Sequence, residues 1–192
     1  MMRIGITAVA VLALTASSSS HAALTEFIAF DDWAPEAGAF TEIGFTGFPD
    51  LTEIVDQYER DGVLFPGLDV IQGPSEAAYP IDQWGLSSVD DFIDMQFVDP
   101  ISAFAIHFPG IGSMRIWSGD EVLAEIPFFG GSGGGNFLGF TFDVPVTRVE
   151  MIEPFPPGIV AIDQLYFTVI PGPAVVPLLC IGLLGGQRRR RR

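Results

Sequence analysis

The 192-residue chain has no lysine, one cysteine and two histidines, and each shortage removes a class of chemistry. Without lysine there is no P-loop ammonium and no Schiff-base amine. The lone Cys180 falls in a C-terminal apolar run, so the segment before it has no thiols to pair and relies on its core alone. Cations are equally scarce. Residues 23–170 hold all 24 acidic residues but only Arg60, Arg115 and Arg148, a formal charge of 3 − 24 = −21. Such a surface repels phosphate backbones, which excludes nucleic acid as a partner. It suits a saline or divalent-rich exterior, where screening relieves self-repulsion.

Both ends are built for transit. Residues 1–22 carry Arg3, an apolar stretch over 4–16 and serines at 17–20, and end Ser20-His21-Ala22. This is the order of a secretory signal peptide, cleaved after Ala22 in preference to Ala23, where His21 would occupy a position that wants a small residue. It places signal peptidase and the general secretion machinery among the partners.

At the other end, residues 170–192 run through Pro171-Gly172-Pro173-Ala174, an apolar segment over 174–187, and then Arg188, Arg189, Arg190, Arg191 and Arg192. An apolar run followed by arginines stops in a membrane with its charged end on the cytoplasmic side. Fourteen residues make about 21 Å of helix, short of the roughly 30 Å hydrocarbon core. The expected element is therefore a short transmembrane sorting helix, held transiently with its arginines snorkelling to the headgroups.

This ending resembles the PEP-CTERM sorting signal, with Gly172 where the commonest motif has Glu. The resemblance implies export, an inner-membrane intermediate, cleavage near the motif by an exosortase, and a final place at the cell surface or in the extracellular matrix.

Residues 23–169 are left as one domain. Alternating apolar and polar residues predict strands over 26–30, 39–45, 63–65, 92–98, 101–108, 112–118, 121–128, 136–142, 146–152 and 159–168. Ile93, Met95 and Phe97 should face inward, as should Phe104, Ile106 and Phe108, then Met114 and Ile116, Val122, Ala124 and Ile126, and Leu138, Phe140 and Phe142. A tight turn is expected at Ser118-Gly119-Asp120, and a helical turn only over 51–58. Period two sustained over so many short strands predicts an all-β fold, an antiparallel β-sandwich of jelly-roll type.

The segments Val55-Asp56-Gln57-Tyr58, Gly62-Val63-Leu64-Phe65, Asn136-Phe137-Leu138-Gly139-Phe140 and Ala161-Ile162-Asp163-Gln164-Leu165 resemble the opening and closing strands of β-sandwich ectodomains carried by PEP-CTERM proteins. Those domains are compared with galactose-binding and lectin-like jelly rolls, which implies carbohydrate binding. Gln164 stands where an acidic residue is common.

No residue is assigned a catalytic role. With the signal removed, His107 is the one histidine left. It should share a strand face with Ala103 and Ala105, away from the phenylalanines, with no nucleophile elbow beside it. A zinc site built on imidazoles or thiolates is excluded by count. Carboxylates abound, but neighbours such as Asp31-Asp32 and Asp90-Asp91 point to opposite faces of a strand and read as solvated loop charge. No cofactor is required; Ca²⁺, which takes six to eight oxygens, is the one ion such carboxylates suit, with Asp163 as candidate ligand. The run Gly130-Gly131-Ser132-Gly133-Gly134-Gly135 lacks a Gly-Lys-Ser/Thr ending and reads as a strand connection. Trp33, Trp84 and Trp117 are the candidates for stacking on sugar rings. The reading is a non-catalytic envelope or matrix protein associated with exopolysaccharide. A secreted carboxylate-dependent glycan hydrolase and a Ca²⁺-dependent lectin-like module are the alternatives.

Overall fold

The computed structural model describes residues 24–72, 84–88, 91–130, 136–152 and 160–172. The chain runs β1 (Leu24–Phe27), α1 (Phe30–Ala37), β2 (Thr41–Ile43), β3 (Glu53–Ile54), a 3₁₀ turn (Glu59–Asp61), β4 (Val63–Leu64), β5 (Asp69–Gln72), β6 (Gly85–Ser88), β7 (Phe92–Phe108), β8 (Ile111–Ser118), β9 (Glu121–Phe129), β10 (Asn136–Ile152), β11 (Ala161–Ile162) and β12 (Gln164–Val169). Eight strands form one antiparallel sheet, ordered β2-β12-β7-β10-β8-β9, with β1 added beside β10 and β4 beside β7. Four more form a small sheet, β11-β6-β5-β3. The two enclose one core that joins Ile54, Ile71, Leu86 and Ile162 of the small sheet to Ile93, Met95, Phe104, Phe140 and Met151 of the large one. Burying each such side chain contributes about 1.5–3 kcal/mol, which makes this layer the main source of stability. The fold is the expected antiparallel β-sandwich.

Two 17-residue strands, β7 and β10, form its spine. The sequence predicts two strands in each place, broken at Asp99-Pro100 and near Pro145. The structure carries both strands through, with reciprocal bulges. Residues 142–145 of β10 stand opposite Ser102 alone, and residues 97–100 of β7 stand opposite Thr147 alone. Proline cannot donate to a ladder and is tolerated at such bulges. The freed backbone groups bond elsewhere: the Val98 N–H to the Gly62 carbonyl (3.0 Å), and the Ile170 N–H to the Pro100 carbonyl (2.8 Å). Each bulge also reverses which residues face the core. In β7 the inward set passes from Ile93, Met95 and Ile101 to Phe104, Ile106 and Phe108; in β10 it passes from Leu138, Phe140 and Val146 to Val149 and Met151.

Several expectations change. The helix falls at Phe30–Ala37, not within 51–58, where a bend and β3 lie. Its apolar residues Phe30, Trp33, Ala34 and Ala37 make one stripe that packs on the sheet. Asp31 and Asp32 therefore sit in the first turn of a helix, where negative charge complements the dipole, and not in a loop. Val122 is 42% exposed rather than inward. A register shift between Ile116 and Trp117 sets it opposite Trp117, on the edge strand β9. Strands β3, β5 and β6 lie outside the segments that the alternation predicts.

Among the described residues, no helix is long and apolar enough to cross a membrane. Pro171 and Gly172 are exposed. The remainder of the sorting motif, Pro173 and Ala174, lies outside the described residues, as do the apolar segment, Arg188 to Arg192, Ala22 and Ala23.

Candidate functional site

The bulges divide the outer face of the large sheet, the side away from the sandwich core, into two halves. Toward one end, β7 and β10 are flanked by β12 and β1; toward the other, β10 is flanked by β8 and then β9, and β7 by β4. α1 covers the first half. There Ala103, Ala105 and Gly139 keep the sheet surface low, and Trp33 packs into the space with Tyr166, Phe137 and Phe40 around it. A Cβ on Gly139 would come within 2.6 Å of the Trp33 ring, so the approach requires glycine. The Trp33 indole N–H donates to the Phe140 carbonyl at 3.1 Å.

An open cleft of about 590 Å³ lies at the rim of this covered half. Its walls come from the β1–α1 link (Ile28), the first residue of α1 (Phe30), the ends of β7 and β9 (His107, Phe129) and the start of β10 (Asn136, Phe137). A second hollow of about 230 Å³ adjoins it past Phe129 and reaches Glu26 and Pro127. Phe129 is 80% exposed and Ile28 79%, so two large apolar side chains stand at the mouth. Phe128 and Phe129 are consecutive in a strand, and alternation turns Phe128 into the core and Phe129 out.

The polar groups of the cleft are held from behind. Gln164 Oε1 accepts from the Tyr166 hydroxyl at 2.6 Å and faces His107 Nδ1 at 2.9 Å. An amide oxygen only accepts, so Nδ1 is the donor in that contact. His107 is set among the rings of Phe30, Phe137 and Tyr166, with centroids 5.3–6.4 Å away. Burial, and secondarily the charge of Glu42, push the Tyr166 phenol up to about 12, so it stays a donor. Asn136 Nδ2 donates to the Phe108 carbonyl at 3.0 Å, which fixes the amide at the cleft wall. The imidazole's side-chain partner is thus the Gln164 amide. The arrangement can bind: an aromatic and aliphatic mouth with a few fixed polar groups suits a small, partly apolar ligand.

The other half of the outer face is a row of charge. Asp94 on β7, Glu150 on β10, Arg115 on β8 and Glu125 on β9 occupy successive register positions across four strands. Arg148 Nε donates to Asp94 at 2.7 Å, and its Nη2 reaches both Asp94 and Glu150. Arg115 bridges Glu125 and Glu150 at 3.3 Å each. The hydrogen bond to Asp94 raises the already high pKa of Arg148; burial opposes this, and the nearby charges of Asp94 and Glu150 reinforce it. Arg148 also lies 5.3 Å from the centre of the Trp117 ring, a cation–π contact.

The residues singled out from the sequence are scattered. Trp33 is wholly buried under α1 and has no face for a sugar, which corrects its candidacy. Trp84 is partly buried against the main core, and Trp117 is partly exposed on the charged half. Asp163 is 5% exposed, between β11 and β12, and its backbone N–H donates to the His107 carbonyl at 2.8 Å. Among the described residues, no three His, Cys, Asp or Glu side chains gather as a metal site. Asp91 takes a left-handed φ of 56° just before β7, and Asp90 lies outside the described residues, as does 131–135. Ile28 and Phe129 were missed as site residues, although two consecutive phenylalanines at a strand end signal that one faces out.

No protein-family model and no curated protein matches the sequence. Among solved structures, the chain is similar to the family 32 carbohydrate-binding module of C. perfringens NanJ, in complex with galactose. The identity is 14% and the TM-score 0.34, over 60% of this chain and 97% of that one.

Proposed function

We propose that this protein is an exported, non-catalytic module of the cell envelope or extracellular matrix, sorted by exosortase and bound to exopolysaccharide through the cleft at Phe129 and His107. The observation that carries the binding part is the cleft: a large, exposed aromatic at the mouth, a second apolar side chain beside it, and a histidine and an asparagine fixed in its walls. Sugar rings need an apolar surface to stack on and a few oriented donors and acceptors. The sorting part rests on the resemblance of residues 170–192 to a PEP-CTERM signal.

Phe129 is mostly exposed, so Phe129→Ala should leave folding intact while weakening retention on exopolysaccharide about tenfold, as measured by affinity electrophoresis. Equal retention of the variant and the parent would remove the cleft from the proposal. Deleting Arg188 to Arg192 should leave unprocessed protein in the inner membrane. Mass spectrometry of the surface form that found the chain intact through Arg192 would overturn the exosortase reading.

A further inference from the structure

The charged half of the outer face is unlike ordinary solvated surface. Two of the three arginines in residues 23–170 stand side by side there, each held by two carboxylates, and Glu150 bridges both. Fixing long side chains this way costs conformational entropy, and at the Arg115–Glu125 end, where both partners are exposed, the pair returns little stability. What the row does present is a flat array of oriented donors and acceptors. Each guanidinium has five N–H groups in a rigid plane and uses only some of them on its carboxylates. Beside the row, Trp117 supplies a partly exposed aromatic surface whose orientation is set by Arg148.

We infer that this half, centred on Trp117, Arg148 and Arg115, is a second binding surface whose ligand is an uncharged polysaccharide chain; the inference rests on the carbohydrate reading above. The chemistry selects that ligand. Three carboxylates against two guanidiniums leave the row at −1 within a domain of −21, so a polyanion is repelled. Each carboxylate already holds a guanidinium, which disfavours a metal ion. A stable protein partner wants an apolar centre, and here the centre is charged, with Phe92 at one end of the face and Trp117 and Val122 at the other among the described residues. A neutral chain of hydroxyls uses both donors and acceptors and needs no net charge. Planar groups spread over four strands, about 4.8 Å apart, match an extended ligand better than a compact one.

The test is affinity electrophoresis of the full-length protein through gels containing a soluble β-glucan, a galactomannan or polygalacturonate. Arg115→Lys keeps the charge but loses the planar fork, and Trp117→Phe keeps a ring; both side chains are partly exposed, so melting should not change. Each should weaken retention on a neutral polysaccharide about tenfold, independently of Phe129→Ala. Unchanged retention of both variants, with loss in Phe129→Ala, would overturn this second surface and leave the cleft standing. Loss in the row variants with no effect of Phe129→Ala would uphold the surface and remove the cleft. Preferential retention by polygalacturonate would overturn the neutral ligand. No retention of the parent protein by any gel would overturn the carbohydrate reading and this inference together.

Discussion

Along β7 and β10 the outer face of one sheet is finished in two ways. Before the bulge in β10 it carries Gly139, with Ala103 and Ala105 across on β7, and a helix lies over it; beyond, it carries Arg148 and Glu150 against Asp94, and α1 does not extend over it. Both halves share β7 and β10, with β12 and β1 beside them in one and β8, β9 and β4 in the other. Side-chain size decides. Small residues leave a trough in which Trp33 meets partner atoms on all sides, whereas in the other half the charged residues are held to one another. One face of a sheet can thus be inner layer and outer surface within the length of two strands, with paired bulges as the divide.

The comparison can be broken most forcefully at Trp33. Trp33→Ala should cost about 3–5 kcal/mol in denaturant unfolding and expose the covered half to proteolysis. A loss below about 1 kcal/mol would mean that α1 is ornament and that the halves do not differ as described. Alkali should separate them next. The Tyr166 phenol is raised to about 12 in the folded protein from an ordinary 10. Its contribution is therefore fully present below pH 10 and is lost as the pH rises through about 12. The near-ultraviolet signal of the tryptophan buried beside it should fade over that window. The Arg148 pKa is raised as well, so the row keeps its charge throughout. Within the row, Arg148→Ala leaves the nearly buried Asp94 without its guanidinium and should cost about 1–3 kcal/mol. The smallest effect belongs to Glu125→Ala at the exposed end, between 0 and about 1 kcal/mol and smaller still in high salt. A Glu125 effect matching that of Arg148 would mean that the row is buried and the two halves alike.

Much of this architecture is local and could be read directly. Ile93, Met95 and Phe97 recur at every second position, and all three are buried; the same holds for Leu138, Phe140 and Phe142. The placing of His107 beside Ala103 and Ala105, away from the phenylalanines, also follows from period two, and the structure puts it against the layer under α1. The joining of 92–98 to 101–108 could not be read, because Asp99-Pro100 is a break signal and its backbone partners, at Gly62 and Ile170, are remote. The helix was missed because it has only eight residues, with a proline inside, and its stability comes from packing rather than propensity. Trp33 reads as a stacking residue in the sequence for the same reason: its burial depends on a helix that the local pattern does not announce.

The sequence by itself determined the all-β class, most of the inward residues within the strands and the acidity, since each depends on composition or on neighbours a few positions apart. Only the tertiary structure decided which half of the outer face is roofed, where the cleft opens and that two arginines share Glu150. Those depend on pairings such as Trp33 with Phe140, 107 residues apart. Such a contact is specified by the shape and volume of the assembled sheet, which no stretch of the chain carries alone.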